Sequence, residues 1–195
     1  MLSKIVIDTM HVDSLERFRK YNYLEAKVVS NSIFLQNNFI ELARGVNQGM
    51  KKDIGVVDPN NNVVGIVTDI SGNYAVVMSL LHKDSRISAK LKKGGAGMIV
   101  WDGNDPEVLT LTDIRKSAKV AKGDTVVTSG FTPTFPYGLN IGTVLEITPD
   151  QGRNSLSIKI KTAANFANLE YVYAIDNLQK DEMNKLLDKV KNQNQ

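Results

Sequence analysis

Short stretches of alternating apolar and polar residues, cut by clusters of turn formers, limit this chain more than any other feature. Ile87, Ala89 and Leu91 alternate with Arg86, Ser88, Lys90 and Lys92. Leu156, Ile158 and Ile160 alternate with Ser155, Ser157, Lys159 and Lys161, and Tyr171, Tyr173 and Ile175 with Val172 and Ala174. A period of two sends successive side chains to opposite faces of a strand, and one wet face is the mark of an antiparallel sheet. Ile158 is therefore expected inside and Lys159 outside. Turn formers recur between the strands, at Asp58 to Asn62, Ser71 to Asn73, Gly94 to Gly97, Asp102 to Pro106 and Pro149 to Asn154. No long helical pattern separates them, which argues against parallel strands joined by crossover helices. Many short strands with frequent turns predict a mostly β chain of sandwich or barrel architecture.

Two segments depart from this period. Asp13 to Asn22 reads as a short helix: Asp13 serves as N-cap, Glu16 completes a capping box, and Leu15 and Phe18 share one face. That strip lies either on the chain's own domain or on a second copy. Near the other end, Met183, Leu186, Leu187 and Val190 fall at i, i+3, i+4 and i+7, which predicts an amphipathic helix over about Asp181 to Lys191. Its simplest place is against the barrel.

Composition narrows the chemistry. With no cysteine among 195 residues, disulfides, thiolate metal sites and cysteine nucleophiles are excluded. The net charge of +3 is mild, and Lys and Arg look scattered with acidic residues between them, the pattern of a solvated surface and not of a nucleic-acid binder. The apolar runs fall far short of the ~20 residues that span a bilayer, and Lys4 and Asp8 interrupt any signal-peptide pattern at the start.

An enzyme would have to use Ser129, with His82 or His11 as base and an Asp such as Asp84 or Asp124; the alternative reading is a serine hydrolase on a two-barrel fold using Ser129 and His82. A nucleophilic serine needs a base within hydrogen-bond reach and an oxyanion hole. The sequence around Thr128-Ser129-Gly130 lacks a nucleophile loop, so a strand end with a hydroxyl satisfying the turn is the simpler role. Two separated histidines make no zinc set. The Asn/Asp turns lack the calcium loop's closing Glu, and Gly94 to Gly97 lacks the Lys-Ser/Thr of a phosphate cradle. No catalytic residue, cofactor or metal is expected. Aromatics remain: Trp101, Phe131, Phe135 and Tyr137 lie in or beside turns, where they either close a barrel end or form a protein-binding patch.

Three of these aromatics belong to one stretch. Gly123-Asp124 opens a turn, the β-branched run Thr125 to Thr128 reads as a strand, Phe131 to Gly138 is a loop with two prolines, and Ile141 to Ile147 is the next strand. Ordering such a loop is costly unless its aromatics pack or bind something. The pattern Gly-Asp-x-Val-Val-Thr-Ser-Gly, then Phe-Pro-x-Gly-Leu-x-Ile-Gly-x-Val, resembles the signature of the MreC family of bacterial rod shape-determining proteins. Ala26-Lys27-Val28-Val29, Gly45 to Met50, Ile54-Gly55-Val56-Val57 and Val63-Val64-Gly65-Ile66-Val67 follow the family in order, so the resemblance runs from about Ala26 to Asn177.

The resemblance implies two small antiparallel β-barrels, the second inserted in the first. Residues 26–72 and 144–177 would form domain I and residues 73–143 domain II, with an N-terminal segment 1–25 and a C-terminal helical tail 178–195. It implies a non-enzymatic, extracytoplasmic (periplasmic) scaffold of peptidoglycan elongation, with MreB, MreD and a class B penicillin-binding transpeptidase as partners. Self-association into dimers or filaments, through Leu15 and Phe18, is implied too, and the loop with Phe131, Phe135 and Tyr137 is the expected protein-interaction element. Family members carry an N-terminal membrane helix and coiled coil. Neither pattern is visible here, so this chain is expected to be the soluble part of a longer protein.

Overall fold

The computed structural model describes residues 5–7, 19–150 and 153–193. Thirteen strands are described: β1 Ile5–Ile7, β2 Arg19–Asn31, β3 Asn37–Leu42, β4 Gly55–Val57, β5 Val63–Ile70, β6 Ala75–His82, β7 Ile87–Leu91, β8 Ala96–Val100, β9 Val108–Arg115, β10 Thr125–Thr128, β11 Asn140–Pro149, β12 Ser155–Thr162 and β13 Tyr171–Asn177. One α-helix, α1 Lys180–Gln193, follows β13.

All the strand pairings are antiparallel, and they close two six-stranded barrels. The first runs β2-β13-β4-β5-β6-β3 and closes by pairing β2 with β3; β1 adds to β2 from outside. The second runs β10-β11-β12-β9-β8-β7 and closes by pairing β7 with β10. Closure removes the exposed edges that an open sheet would present. The alternation sets the inside. On β3, Asn38, Ile40 and Leu42 are buried while Asn37, Phe39 and Glu41 face outward. Ile158 and Ile160 fill the second barrel together with Leu109, Leu111 and Ile141.

The second barrel is inserted between β6 and β13, with bounds that differ from those drawn above. Ala75–His82, expected in domain II, is β6 of the first barrel, and residues 144–162, expected in domain I, hold most of β11 and all of β12, which belong to the second. Alternation marks a strand's wet face but not which neighbour it pairs with, so it carries no information on this point.

The expected helix over Asp13 to Asn22 also needs correction. Its last residues, Arg19 to Asn22, are the start of β2, paired with β1 on one side and, from Tyr21, with β13 on the other. Residues 13–18, including Leu15 and Phe18, lie outside the described residues. At Arg19 to Asn22 backbone pairing with neighbouring strands outweighs a short helical pattern. The C-terminal helix is present. On it Met183 and Leu186 are exposed, and Lys180 Nζ at its start donates to the Asp53 carbonyl at 2.8 Å. Among the described residues no helix is long and apolar enough to cross a membrane.

Candidate interaction surfaces at the barrel junction

The barrels meet through the loop that the sequence singles out. It leaves β10 at Thr128 and turns back into β11. Thr128 Oγ1 donates to the Pro136 carbonyl at 2.6 Å and accepts from the Leu139 N–H at 3.0 Å, pinning both ends of the loop. Phe135 then enters the first barrel. It is 4% exposed, and a Cβ built on Gly55 of β4 would overlap Cε1 and Cδ1 of its ring, so only glycine leaves room there. Asn177 Nδ2 at the end of β13 donates to the Pro133 carbonyl at 3.2 Å.

A polar relay lies beside this contact. Asp58 accepts the backbone N–H groups of Asn60 and Asn62 and the Asn62 side-chain amide, which closes the β4–β5 turn. Asn62 Oδ1 in turn accepts from Asn140 Nδ2 at 3.0 Å, and the Asn140 N–H donates to the Asn61 carbonyl at 3.3 Å. Asn140 opens β11, so the first barrel's turn is bonded to the second barrel's strand. On another side of the junction the β2–β3 hairpin touches the β8–β9 loop, where Gln36 Nε2 approaches the Gly103 carbonyl at 3.4 Å.

The expected interaction loop therefore divides. Phe135 is not a surface residue: it is the plug between barrels, which corrects its assignment to a partner-binding patch. Phe131 and Tyr137 are 75% and 59% exposed, with Lys90 Nζ lying 5.2 Å from the centre of the Tyr137 ring. Trp101 is buried, its Nε1–H donating to the Asp105 carbonyl at 2.9 Å, and it holds the β8–β9 loop closed.

Sequence reasoning missed a second exposed group. At the β2–β3 hairpin tip, Phe34 is 85% and Leu35 60% exposed. Two clefts flank the tip. One of about 510 Å³ is lined by Asn31, Phe34, Leu35 and Leu169; the other, of about 340 Å³, by Phe34, Pro106, Lys161 and Phe166. Asn31 donates to the Phe166 carbonyl at 2.6 Å, while its buried Oδ1 has no partner among the described residues. The signal was absent from the alternation because the tip is a turn, and nothing local distinguishes an exposed Ile-Phe-Leu turn from a buried one.

The catalytic candidates do not come together. Ser129 Oγ shares a 2.7 Å hydrogen bond with Ser88 Oγ and accepts from the Phe131 N–H at 3.2 Å, the turn-closing role anticipated for it. His82 ends β6 in the other barrel. Its ring is held locally: Nδ1 accepts from the Asp84 N–H at 3.0 Å and Phe39 packs edge-on at 4.9 Å. Burial pushes the His82 pKa down, with Asp84 pulling the other way and Lys83 adding to the fall. Neither residue is hydrogen-bonded to the other.

The comparisons with known proteins agree with this architecture. The family described as "Rod shape-determining protein MreC, barrel core" matches residues 28–176. The cell shape-determining protein MreC of Listeria monocytogenes is 32% identical over 165 residues, covering 83% of this chain and 56% of that protein. This chain thus spans little more than half the length of that relative. A solved MreC structure from Listeria monocytogenes superposes with a TM-score of 0.74 at 32% identity, covering 80% of this chain and 76% of the other. A chain from a solved complex between a penicillin-binding protein and MreC of Helicobacter pylori superposes with a TM-score of 0.65 at 23% identity, covering 82% and 99%; that likeness is one of fold. With the family match covering both barrels and the loop that joins them, the chain belongs to the MreC family of rod shape-determining proteins.

Proposed function

We propose that this chain is the barrel part of a non-enzymatic, extracytoplasmic scaffold that organises peptidoglycan elongation and so cell shape. One observation carries the proposal: the side chains that chemistry would need are spent on holding loops, while the large exposed apolar side chains Phe34, Leu35, Phe131 and Tyr137 project from loops braced by the barrel junction. Exposed aromatics on a rigid frame suit protein recognition, because little conformational entropy is lost on binding. The partner proposed for this surface is a class B penicillin-binding transpeptidase, supported by the solved complex of a related fold with a penicillin-binding protein. MreB, reached through the membrane, and MreD complete the proposed assembly.

The test is co-purification of the transpeptidase with the full-length parent protein from membranes. Phe34→Asp/Leu35→Asp and Phe131→Ser/Tyr137→Ser are compared with the parent, with circular dichroism confirming that each variant folds. Loss of the transpeptidase with either pair supports the proposal. Retention with both, together with normal cell shape, excludes this surface. Self-association is proposed through the segment carrying Leu15 and Phe18. A strictly monomeric parent in sedimentation equilibrium up to high concentration would remove that part.

A further inference from the structure

The geometry points to the end of the second barrel remote from the junction as a binding pole for an extended, phosphate-bearing polyanion. Along the sequence the basic residues look scattered, but the barrel gathers them. β7 runs into the turn Lys92-Lys93-Gly94-Gly95, and β9 runs into the connection from Lys116 to Asp124. The two loops are neighbours: the Lys92 N–H donates to the Thr125 carbonyl at 3.0 Å, Lys93 Nζ meets Asp124 at 2.9 Å, and a Cβ on Gly95 would lie 3.6 Å from the Ala118 Cβ.

Lys92, Lys93, Lys116, Lys119 and Lys122 in these two loops, and Arg115 at the end of β9, are all exposed. Only Asp113 and Asp124 stand against them, a surplus larger than the +3 of the whole chain, so the remainder is net acidic. Asp124 is already engaged by Lys93 and by the Ala121 N–H at 2.8 Å. The other five cations have no ion pair among the described residues. At the same end the β11–β12 connection adds Arg153 and Asp150, which offset each other. The opposite end of this barrel holds Phe135, Asn140 and Gly103, all engaged with the first barrel, so the basic pole is the free one.

A cluster of like charges repels itself and costs the fold stability unless counter-charge is present. The chemistry of the cluster selects the counter-charge. Five of the six are lysines, point charges on flexible stems without the fixed fork that reads one planar anion. They suit repeated phosphates along a flexible chain, bound by releasing the chain's counterions. No large apolar side chain is exposed at this pole among the described residues, so the feature that would anchor it in a lipid surface is missing.

The test measures binding of the folded chain to long-chain inorganic polyphosphate by fluorescence anisotropy, across a salt series. Affinity should fall at least about tenfold between about 50 and 200 mM salt. Lys92→Gln/Lys116→Gln/Lys119→Gln/Lys122→Gln should weaken binding by at least about tenfold at low salt, with a shallower salt slope. Lys27→Gln/Lys83→Gln, exposed on the first barrel, should leave the affinity within about twofold. The milder Lys116→Gln/Lys119→Gln serves if the fourfold variant misfolds, and should give an intermediate loss. Equal losses from both barrels would reduce the effect to net charge and overturn the pole. No binding at low salt would overturn it outright. Flotation with vesicles of equal phosphatidylglycerol and phosphatidylcholine is the contrasting arm: capture by vesicles without binding to polyphosphate would make the partner a membrane and overturn the polymer.

Discussion

Phe135 decides more of this structure than any other single side chain. Its ring occupies space that glycine at position 55 leaves open, and both barrels contribute to its surroundings. Phe135→Ala should cost about 3–5 kcal/mol in urea unfolding, the range for emptying a buried aromatic site. Gly55→Ala should cost about 1–3 kcal/mol by overpacking against that ring. The double substitution should be less destabilised than the sum, because the smaller side chain makes room for the new methyl. Strict additivity would show that the two positions do not touch. From the sequence the aromatic loop was evident and its three rings were not separable: whether a ring in a turn points in or out depends on a glycine eighty residues away in the chain.

A second residue-scale prediction concerns Asp102. Its carboxylate accepts from Lys159 Nζ at 2.8 Å, which holds its pKa below the usual range against the effect of partial burial, with the Asn104 N–H helping. A carboxyl with a depressed folded-state pKa stabilises the fold fully above its unfolded value. That contribution is lost as pH falls through the folded-state value. Asp102→Asn should therefore lower Tm at pH 7 by a small amount, since the pair is more than a third exposed. The gap from the parent should close below the ordinary carboxylate range. A gap that stays constant down to acid pH would assign the loss to packing.

At the scale of elements, β12 shows what alternation can and cannot say. Ile158 is buried and Lys159 points outward, as the period requires. Ile158→Ala should cost about 2–5 kcal/mol. Lys159→Ala should cost less than about 1 kcal/mol, the range for an exposed ion pair. Equal losses would mean that the pairing with Asp102 carries as much as the core. The same period found most of the strands. It missed the beginning of β2, where Arg19 to Asn22, the last residues of the expected helix, are held by strands. The bounds drawn from the resemblance put β6, β12 and most of β11 in the wrong barrels, because strand partnership is set by long-range pairing that no local pattern encodes. The cationic pole escaped for the same reason: Lys92-Lys93 and Lys116 to Lys122 become neighbours only once β7 to β10 are closed into a barrel.

At the scale of the molecule, the question is whether two closed barrels unfold as one. Each has its own ring of hydrogen bonds, and only two connections, from β6 to β7 and from β12 to β13, cross between them. Yet their buried side chains form one continuous cluster that includes Val56 and Ile175 of the first barrel, Phe135, and Ile141 of the second. Polar contacts reinforce that continuity at Asn62 and Asn140. The chain should therefore show a single calorimetric transition, with the calorimetric and van't Hoff enthalpies equal. Breaking the junction alone should divide it. Phe135→Ala removes the apolar bridge, and Asn140→Ala strips Asn62 Oδ1 of its donor, a loss of about 1–3 kcal/mol if that oxygen stays dry. The double variant leaves both hydrogen-bonded barrel ladders complete, so its scan should resolve into two transitions, or give a van't Hoff enthalpy clearly below the calorimetric one. If it instead melts in one transition at lower temperature with the two enthalpies still equal, the barrels are coupled through contacts other than this loop, such as those of the β2–β3 hairpin with the β8–β9 loop. A parent that already melts in two steps would refute the coupling itself.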